Sequence, residues 1–223
     1  MDIQIIFQPI NRAAMALLTP GSAPWLILLA VLLYGLIHSW LASMGIKALV
    51  RRWLGAFSER VYRLAYNIFA GLTLLPVLAL PAILPDRGIY TIPFPWALLT
   101  LAIQGLAALA LVAGLLQTGV WSFLGLRQLL SPLDGEPSEL VVSGLYRWVR
   151  HPLYAAGLVF IWLTPRMTYN SLALILGLSI YLVIGAFFEE RKLVREYGSA
   201  YERYRRNTPM LIPGLIRKHS ADL

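Results

Sequence analysis

The chain has 223 residues, 58% of them hydrophobic and only 13% charged, where soluble domains carry about 25% charged residues. A water-soluble fold of this length cannot bury that much apolar surface, so an ordinary soluble enzyme is excluded. Nineteen Lys and Arg against eleven Asp and Glu leave a formal charge of +8; in so apolar a chain this excess points to membrane orientation, and no nucleic-acid partner is expected. The absence of cysteine removes disulfides, thiolate metal centres and cysteine nucleophiles, and no metal site is expected.

In chain order, the segment 3–18 is apolar but interrupted by Gln8, Pro9, Asn11 and Arg12. It has neither a basic start nor a small-residue cleavage site, which favours an interfacial helix or an arm over a cleaved signal. A membrane-crossing helix needs about 20 apolar residues. Pro24 to Ser43, Val61 to Leu84, Pro95 to Gln117 and Asn170 to Phe188 meet that length. The second contains Pro76 and Pro81, which a membrane helix tolerates as kinks when its neighbours satisfy the freed carbonyls. The third is rich in Ala and Gly, which permit close helix packing in lipid.

His151 to Pro165 is shorter, spanning roughly 22 Å as a helix. It is read as a fourth crossing, joined to the fifth by a tight turn over 164–168; a re-entrant segment is the alternative. The result is a single all-α membrane bundle of about five spans with a basic C-terminal segment, 189–223. Sixteen of the nineteen basic residues then fall on one side, leaving Arg12, Arg87 and Arg166 on the other. That asymmetry predicts an integral membrane protein with its N-terminus outside and its C-terminus in the cytoplasm.

Chemistry-bearing residues gather on the basic side. His38 lies inside the first span, His151 opens the fourth, and His219 sits in the polar tail. His38 and His151 together could ligate haem; alternatively His38 is a buried histidine bonded to a neighbouring carbonyl or to Ser39 or Ser43. Around His151 runs Gly144-Leu-Tyr146-Arg147-Trp-Val-Arg150-His151-Pro152-Leu-Tyr154-Ala-Ala-Gly157. Pro152 suits a first helical position, and the helix start beside Arg150 and His151 suits a carboxylate or phosphate. Interfacial anchoring by Arg, Trp and Tyr explains the same composition.

Glu189 and Glu190 stand where the last span leaves the membrane, a costly place for two carboxylates unless they bind something. With the helix continued, Glu190, Val194, Tyr197, Tyr201 and Tyr204 share one face. Such a face can hold a ribose diol or an ammonium and wall an aromatic ring; an amphipathic tail on anionic lipid, with Glu189 paired to Lys192 or Arg191, is the alternative. The apolar plug Pro209-Met-Leu-Ile-Pro213 could fold back over the cluster.

Arg150-His151-Pro152-x-Tyr154-x-x-Gly157, Glu189-Glu190-x-x-Leu193-x-x-x-Tyr197-Gly198-x-x-Tyr201-x-x-Tyr204 and Pro209-x-x-Ile212-Pro213 resemble the integral-membrane isoprenylcysteine carboxyl methyltransferase and phospholipid methyltransferase superfamily. His38-Ser39-x-x-Ala42-Ser43-x-x-x-Lys47 and Ser58-Glu59-Arg60-x-Tyr62-Arg63-x-x-Tyr66-Asn67 are similar to its methanethiol S-methyltransferase and NnrU-type branch. Tyr169-Asn170-Ser171 departs from that branch, whose thiol enzymes carry a Gly-His pair there.

The resemblance implies S-adenosylmethionine as cofactor, bound on the cytoplasmic side by Tyr146, Arg150, His151, Tyr154, Gly157, Glu189, Glu190, Tyr201 and Tyr204 under a capping C-terminal helix. It implies a small thiol or lipophilic acceptor reached from the membrane lipids, with His38, His151 and Arg150 as catalytic candidates. A non-enzymatic membrane assembly or regulatory protein on the same scaffold, and a haem or quinone protein, are the competing readings.

Overall fold

The computed structural model describes residues 19–126, 129 and 140–214. The segment 3–18, His219 and the basic residues Arg12, Arg127, Arg217 and Lys218 lie outside them. Along the described chain come α1 (Ala23–Ala42), α2 (Met44–Leu54), α3 (Ala56–Ile83), β1 (Gly88–Thr91), α4 (Trp96–Gln117) and α5 (Val120–Leu124). A single 3-10 turn (Gly144–Arg147), α6 (Pro152–Trp162), β2 (Arg166–Thr168), α7 (Tyr169–Tyr197) and α8 (Ser199–Asn207) follow.

Four of these, α1, α3 from Arg60, α4 and α7, are long and apolar enough to cross a membrane. The protein is an integral membrane helical bundle, and its surface says so. Leu32, Leu36, Leu72, Leu106, Leu109 and Ile180 are all more than half exposed, an arrangement water would not tolerate and acyl chains do. In lipid the helices are held by close packing rather than by the hydrophobic effect.

The contacts fit that rule. Ala23, Ile27, Val31 and Gly35 form a buried stripe at steps of four along α1, which packs against α7 and α3. Ile27, Val31, Val77 and Ala173 form the core there. Glycines set the approach: a β-carbon on Gly177 would lie 3.1 Å from Val31, and one on Gly114 would lie 3.0 Å from Leu153 where α4 meets α6. Pro76 and Pro81 sit inside a continuous α3, and Pro152 stands in the first turn of α6, as expected.

The short fourth segment resolves through its ends. α6 has 11 residues and rises only about 16 Å. Its first turn lies beside the C-terminal part of α7, and its last leads into β2, which pairs antiparallel with β1. The chain therefore passes from one end of the bundle to the other, part helix and part extended, and is not re-entrant. The pairing also carries a correction: the turn expected over 164–168 contains a strand. At this end Asn170, fully buried, donates its side-chain amide to the Leu84 and Pro85 carbonyls, and its backbone N–H to Asp86. Asn170 thus ties the end of α3 to the start of α7.

Two further differences concern the basic end. The stretch after α1 is helical: Ser43 caps α2, accepting from the Ile46 N–H. Lys47, Arg51 and Arg52 share this helix with the exposed Met44, Leu49 and Trp53, the make-up of a helix lying in the headgroup plane. The C-terminal helix does not run on through the tyrosines. Gly198, at φ 53° and ψ −129°, breaks it into α7 and α8.

Candidate functional site

The basic end of the bundle gathers its polar side chains around the start of α6. Because Pro152 begins that helix, Arg150 and His151 stand just before its first turn, opposite the carboxylates that close the apolar run of α7. His151 and Glu190 are buried, and the Arg150 side chain is only 10% exposed. Arg150 donates through Nε to Glu190 Oε1 at 2.6 Å, and its Nη2 lies 2.5 Å from the same oxygen. Its Nη1 donates to the Arg205 and Thr208 carbonyls at 2.9 and 2.5 Å. One guanidinium thus joins α6, α7 and the end of α8.

The plug after α8 does fold back. The Arg150 and His151 N–H groups donate to the Pro209 and Met210 carbonyls at 2.9 and 3.1 Å. The chain just ahead of the helix start is thereby tied to the plug.

His151 lies between the two carboxylates. Its Nδ1 is 3.6 Å from Glu189 and its Nε2 is 3.5 Å from Glu190. Both are ion-pair distances, and Nε2 is buried without a hydrogen bond. Tyr154 stacks on the imidazole at 5.4 Å, with the rings 8° from parallel. Glu189 faces His151, while Arg191, one of its two expected partners, lies over the Phe188 ring.

α8 closes the cluster. Tyr201 is 1% exposed, and its hydroxyl is also buried without a partner. Tyr204 meets it edge-on at 5.9 Å and donates to the Tyr146 carbonyl at 2.5 Å. Burial pushes Tyr146 and Tyr204 up to about 12, with the Glu189 carboxylate adding to the shift at Tyr146. Tyr201 moves the same way, from burial and then from Glu190. All three are neutral phenols at physiological pH. Gly157, one turn along α6 from Tyr154, has open space where a β-carbon would stand.

Tyr146, Arg150, His151, Tyr154, Glu189, Glu190, Tyr201 and Tyr204 are therefore brought together, with Gly157 beside them. His38 is not among them. It belongs to a second cluster inside the bundle, with Tyr34, Tyr66 and Tyr181, and its partner is the Tyr66 hydroxyl from α3 rather than Ser39 or Ser43. The sequence carried Tyr66 in a motif without giving it a role. Tyr181 was missed, although a phenol in the middle of an apolar span is itself a signal. Among the described residues no group of His, Asp and Glu is arranged to hold a metal. A cavity of about 480 Å³ lies at the opposite end, lined by Asp86, Arg87, Arg166, Thr168 and Ser171 among others, and shares no residue with either cluster.

Residues 96–200 match the phospholipid methyltransferase family. Methanethiol S-methyltransferase of Mycobacterium tuberculosis is 32% identical over 199 residues, covering 84% of this chain and 76% of that one. Methanethiol S-methyltransferase 2 of Bradyrhizobium diazoefficiens is 42% identical over 78 residues, 35% of this chain and 30% of that one. Protein-S-isoprenylcysteine O-methyltransferase of Schizosaccharomyces pombe is 40% identical over 81 residues, 33% of each. No solved structure matches the chain.

Proposed function

The chain belongs to the methanethiol S-methyltransferase family, and from that premise we propose that it is a membrane-embedded methyltransferase. It uses S-adenosylmethionine and acts on a small thiol or another lipophilic acceptor that enters from the bilayer. The observation that carries the reading is the pair of unpartnered buried atoms, His151 Nε2 and Tyr201 Oη, in one cluster with two carboxylates. Leaving such atoms unpaired costs about 1–3 kcal/mol each, which a polar ligand between α6 and α8 removes.

The residues fit this cofactor. Glu189 and Glu190 suit its ammonium or ribose hydroxyls, Tyr154, Tyr201 and Tyr204 wall an aromatic ring or a sulfonium, and the open face at Gly157 leaves room for its bulk. Tyr146 and Arg150 act from behind: Arg150 holds Glu190 in place, and the Tyr146 carbonyl holds Tyr204. When bound, the cofactor supplies an electrophilic methyl group. The protein's part is to align the acceptor and exclude water. A neutral thiol or amine must also lose a proton, and His38 and His151 are the candidate bases for it.

The sixteen-to-three division of basic residues supports placing this site on the cytoplasmic side of a bacterial inner membrane, with the N-terminus outside. The test is calorimetry of the purified protein with S-adenosylmethionine, followed by transfer of labelled methyl to a panel of thiols and lipid extracts. Saturable binding that Glu190→Gln and His151→Ala weaken tenfold or more is the expected result. Undiminished binding by both variants would sink the site. No binding by the unmodified protein would favour a non-enzymatic assembly role for the same scaffold.

A further inference from the structure

His38 Nδ1 is buried inside the bundle with no hydrogen-bond partner, while Nε2 is held at 2.5 Å by the Tyr66 hydroxyl. Three phenol rings surround the imidazole. Tyr34 stacks on it at 5.4 Å, Tyr66 lies tilted at 4.8 Å, and Tyr181 meets it edge-on at 5.9 Å. Backbone carbonyls anchor the frame: Tyr34 donates to Ala70, and Tyr62, stacked on Tyr66, donates to Leu41. Tyr181 reaches this position only because residue 35 is glycine; a β-carbon there would lie 2.9 Å from the Tyr181 ring. Tyr154, which stacks on His151, lies on α6, and α6 packs against α7, the helix that carries Tyr181. Tyr181 and Glu189 share α7, about 12 Å apart along it, so one helix carries both the wall of this second cluster and a carboxylate of the first.

We infer that this aromatic chamber is the seat of the methyl acceptor, with His38 Nδ1 taking the acceptor's proton and Tyr181, seated on Gly35, limiting its size. The inference rests on the methyltransferase reading and assigns that site's acceptor side. A soft, neutral S–H group suits the place: aromatic faces and edges attract sulfur, and a charged headgroup would meet no counter-ion there. The titratable side chains whose rings meet His38 are all phenols: Tyr34 from α1, Tyr66 from α3 and Tyr181 from α7. None of them competes for a proton near neutral pH.

The step balances. The thiol sulfur forms a bond to the methyl carbon while the bond from that carbon to the donor's sulfonium breaks, its electron pair staying on the donor sulfur. The thiol proton passes to Nδ1. This assigns the imidazole's resting proton to Nε2, against the Tyr66 oxygen.

The test begins without cofactor. With only three histidines in the chain, protein labelled with 15N in its imidazoles gives few signals, and His38→Gln identifies one of them. Ethanethiol should shift that signal saturably and a long-chain thiol should not. Tyr181→Ala should extend the response to the longer thiol. With cofactor, His38→Gln should bind S-adenosylmethionine like the unmodified protein yet transfer methyl to ethanethiol about 100-fold or more slowly at pH 7. That deficit should shrink about tenfold per pH unit as the thiolate forms in solution.

A His38 signal unmoved by any thiol would overturn the proposal, as would a deficit independent of pH. Equal rates in His38→Gln and the unmodified protein, or methyl transfer to lipid but to no thiol, would do the same while leaving the methyltransferase reading standing. Failure of the unmodified protein to bind cofactor overturns that reading first, and this assignment with it.

Discussion

Arg150 is the side chain that holds the cluster, and its chemistry separates holding from binding. It and Glu190 are both about nine-tenths buried, so removing one leaves the other charged and unpaired, at about 3–5 kcal/mol. Glu190→Ala should therefore lower the unfolding free energy by about that much in denaturant titrations. The double variant Arg150→Met, Glu190→Leu should recover most of the loss, because a packed apolar pair can replace a buried ion pair, yet it should not recover cofactor affinity. A double variant that bound cofactor normally would mean that Glu190 is only structural.

The phenols give a pH signature. Tyr146 and Tyr204 ionise near 12 in the fold and near 10 when exposed. Between those values the unfolded chain has released protons that the folded one keeps, so stability is full below about pH 10 and falls as pH rises toward 12. Melting curves from pH 8 to 12 should show this decline, and Tyr204→Phe should flatten it while costing about 1 kcal/mol for its lost bond to the Tyr146 carbonyl. These residues were legible in the sequence because charges are scarce in such a chain and each one at a span's edge calls for a reason. Tyr66 and Tyr181 were not, since the separation between α3 and α7 hides that both close on His38.

At the scale of elements, Gly198 decides where the tyrosines go. A straight helix through residues 190–204 puts them on one stripe, which is how the spacing reads. The actual break at a positive φ turns α8 so that Tyr201 is buried over Glu190 and Tyr197 is left partly exposed. No side chain fits that backbone without strain of about 1–3 kcal/mol, although a β-carbon there would touch nothing. Gly198→Ala should therefore leave the spans intact by circular dichroism and weaken S-adenosylmethionine binding about tenfold or more. An unchanged affinity would detach α8 from the site.

The spans were readable to within a few residues because twenty apolar residues in a row have few other uses. The elements that escaped are those with weak local signals. β1 and β2 have four and three residues, and their pairing is long-range. In α2 the cations mask an amphipathic repeat that needs the headgroup plane to be recognised.

At the scale of the whole molecule, two independent facts bear on which loops share a face. Basic residues concentrate at the end carrying α2, the start of α6 and α8. The two sparse loops meet at the other end, where Gly88 pairs with Thr168 and Thr91 with Arg166. If α6 were re-entrant, Arg166 would stand on the basic side and α7 would carry the cluster to the opposite face. The pairing of β1 with β2 forbids this, so Arg87 and Arg166 must lie together on the face opposite Arg203. Because the chain has no cysteine, single-cysteine variants report their side without background. Arg87→Cys, Arg166→Cys and Arg203→Cys replace exposed residues and leave both clusters untouched. In bacterial spheroplasts a membrane-impermeant maleimide should label the first two at once and the third only after the membrane is opened. Labelling of Arg166→Cys and Arg203→Cys from the same side would contradict the bundle itself. Labelling of all three in the reverse sense would keep the bundle and invert the protein, placing the carboxylate cluster outside the cell and away from the cytoplasmic supply of S-adenosylmethionine.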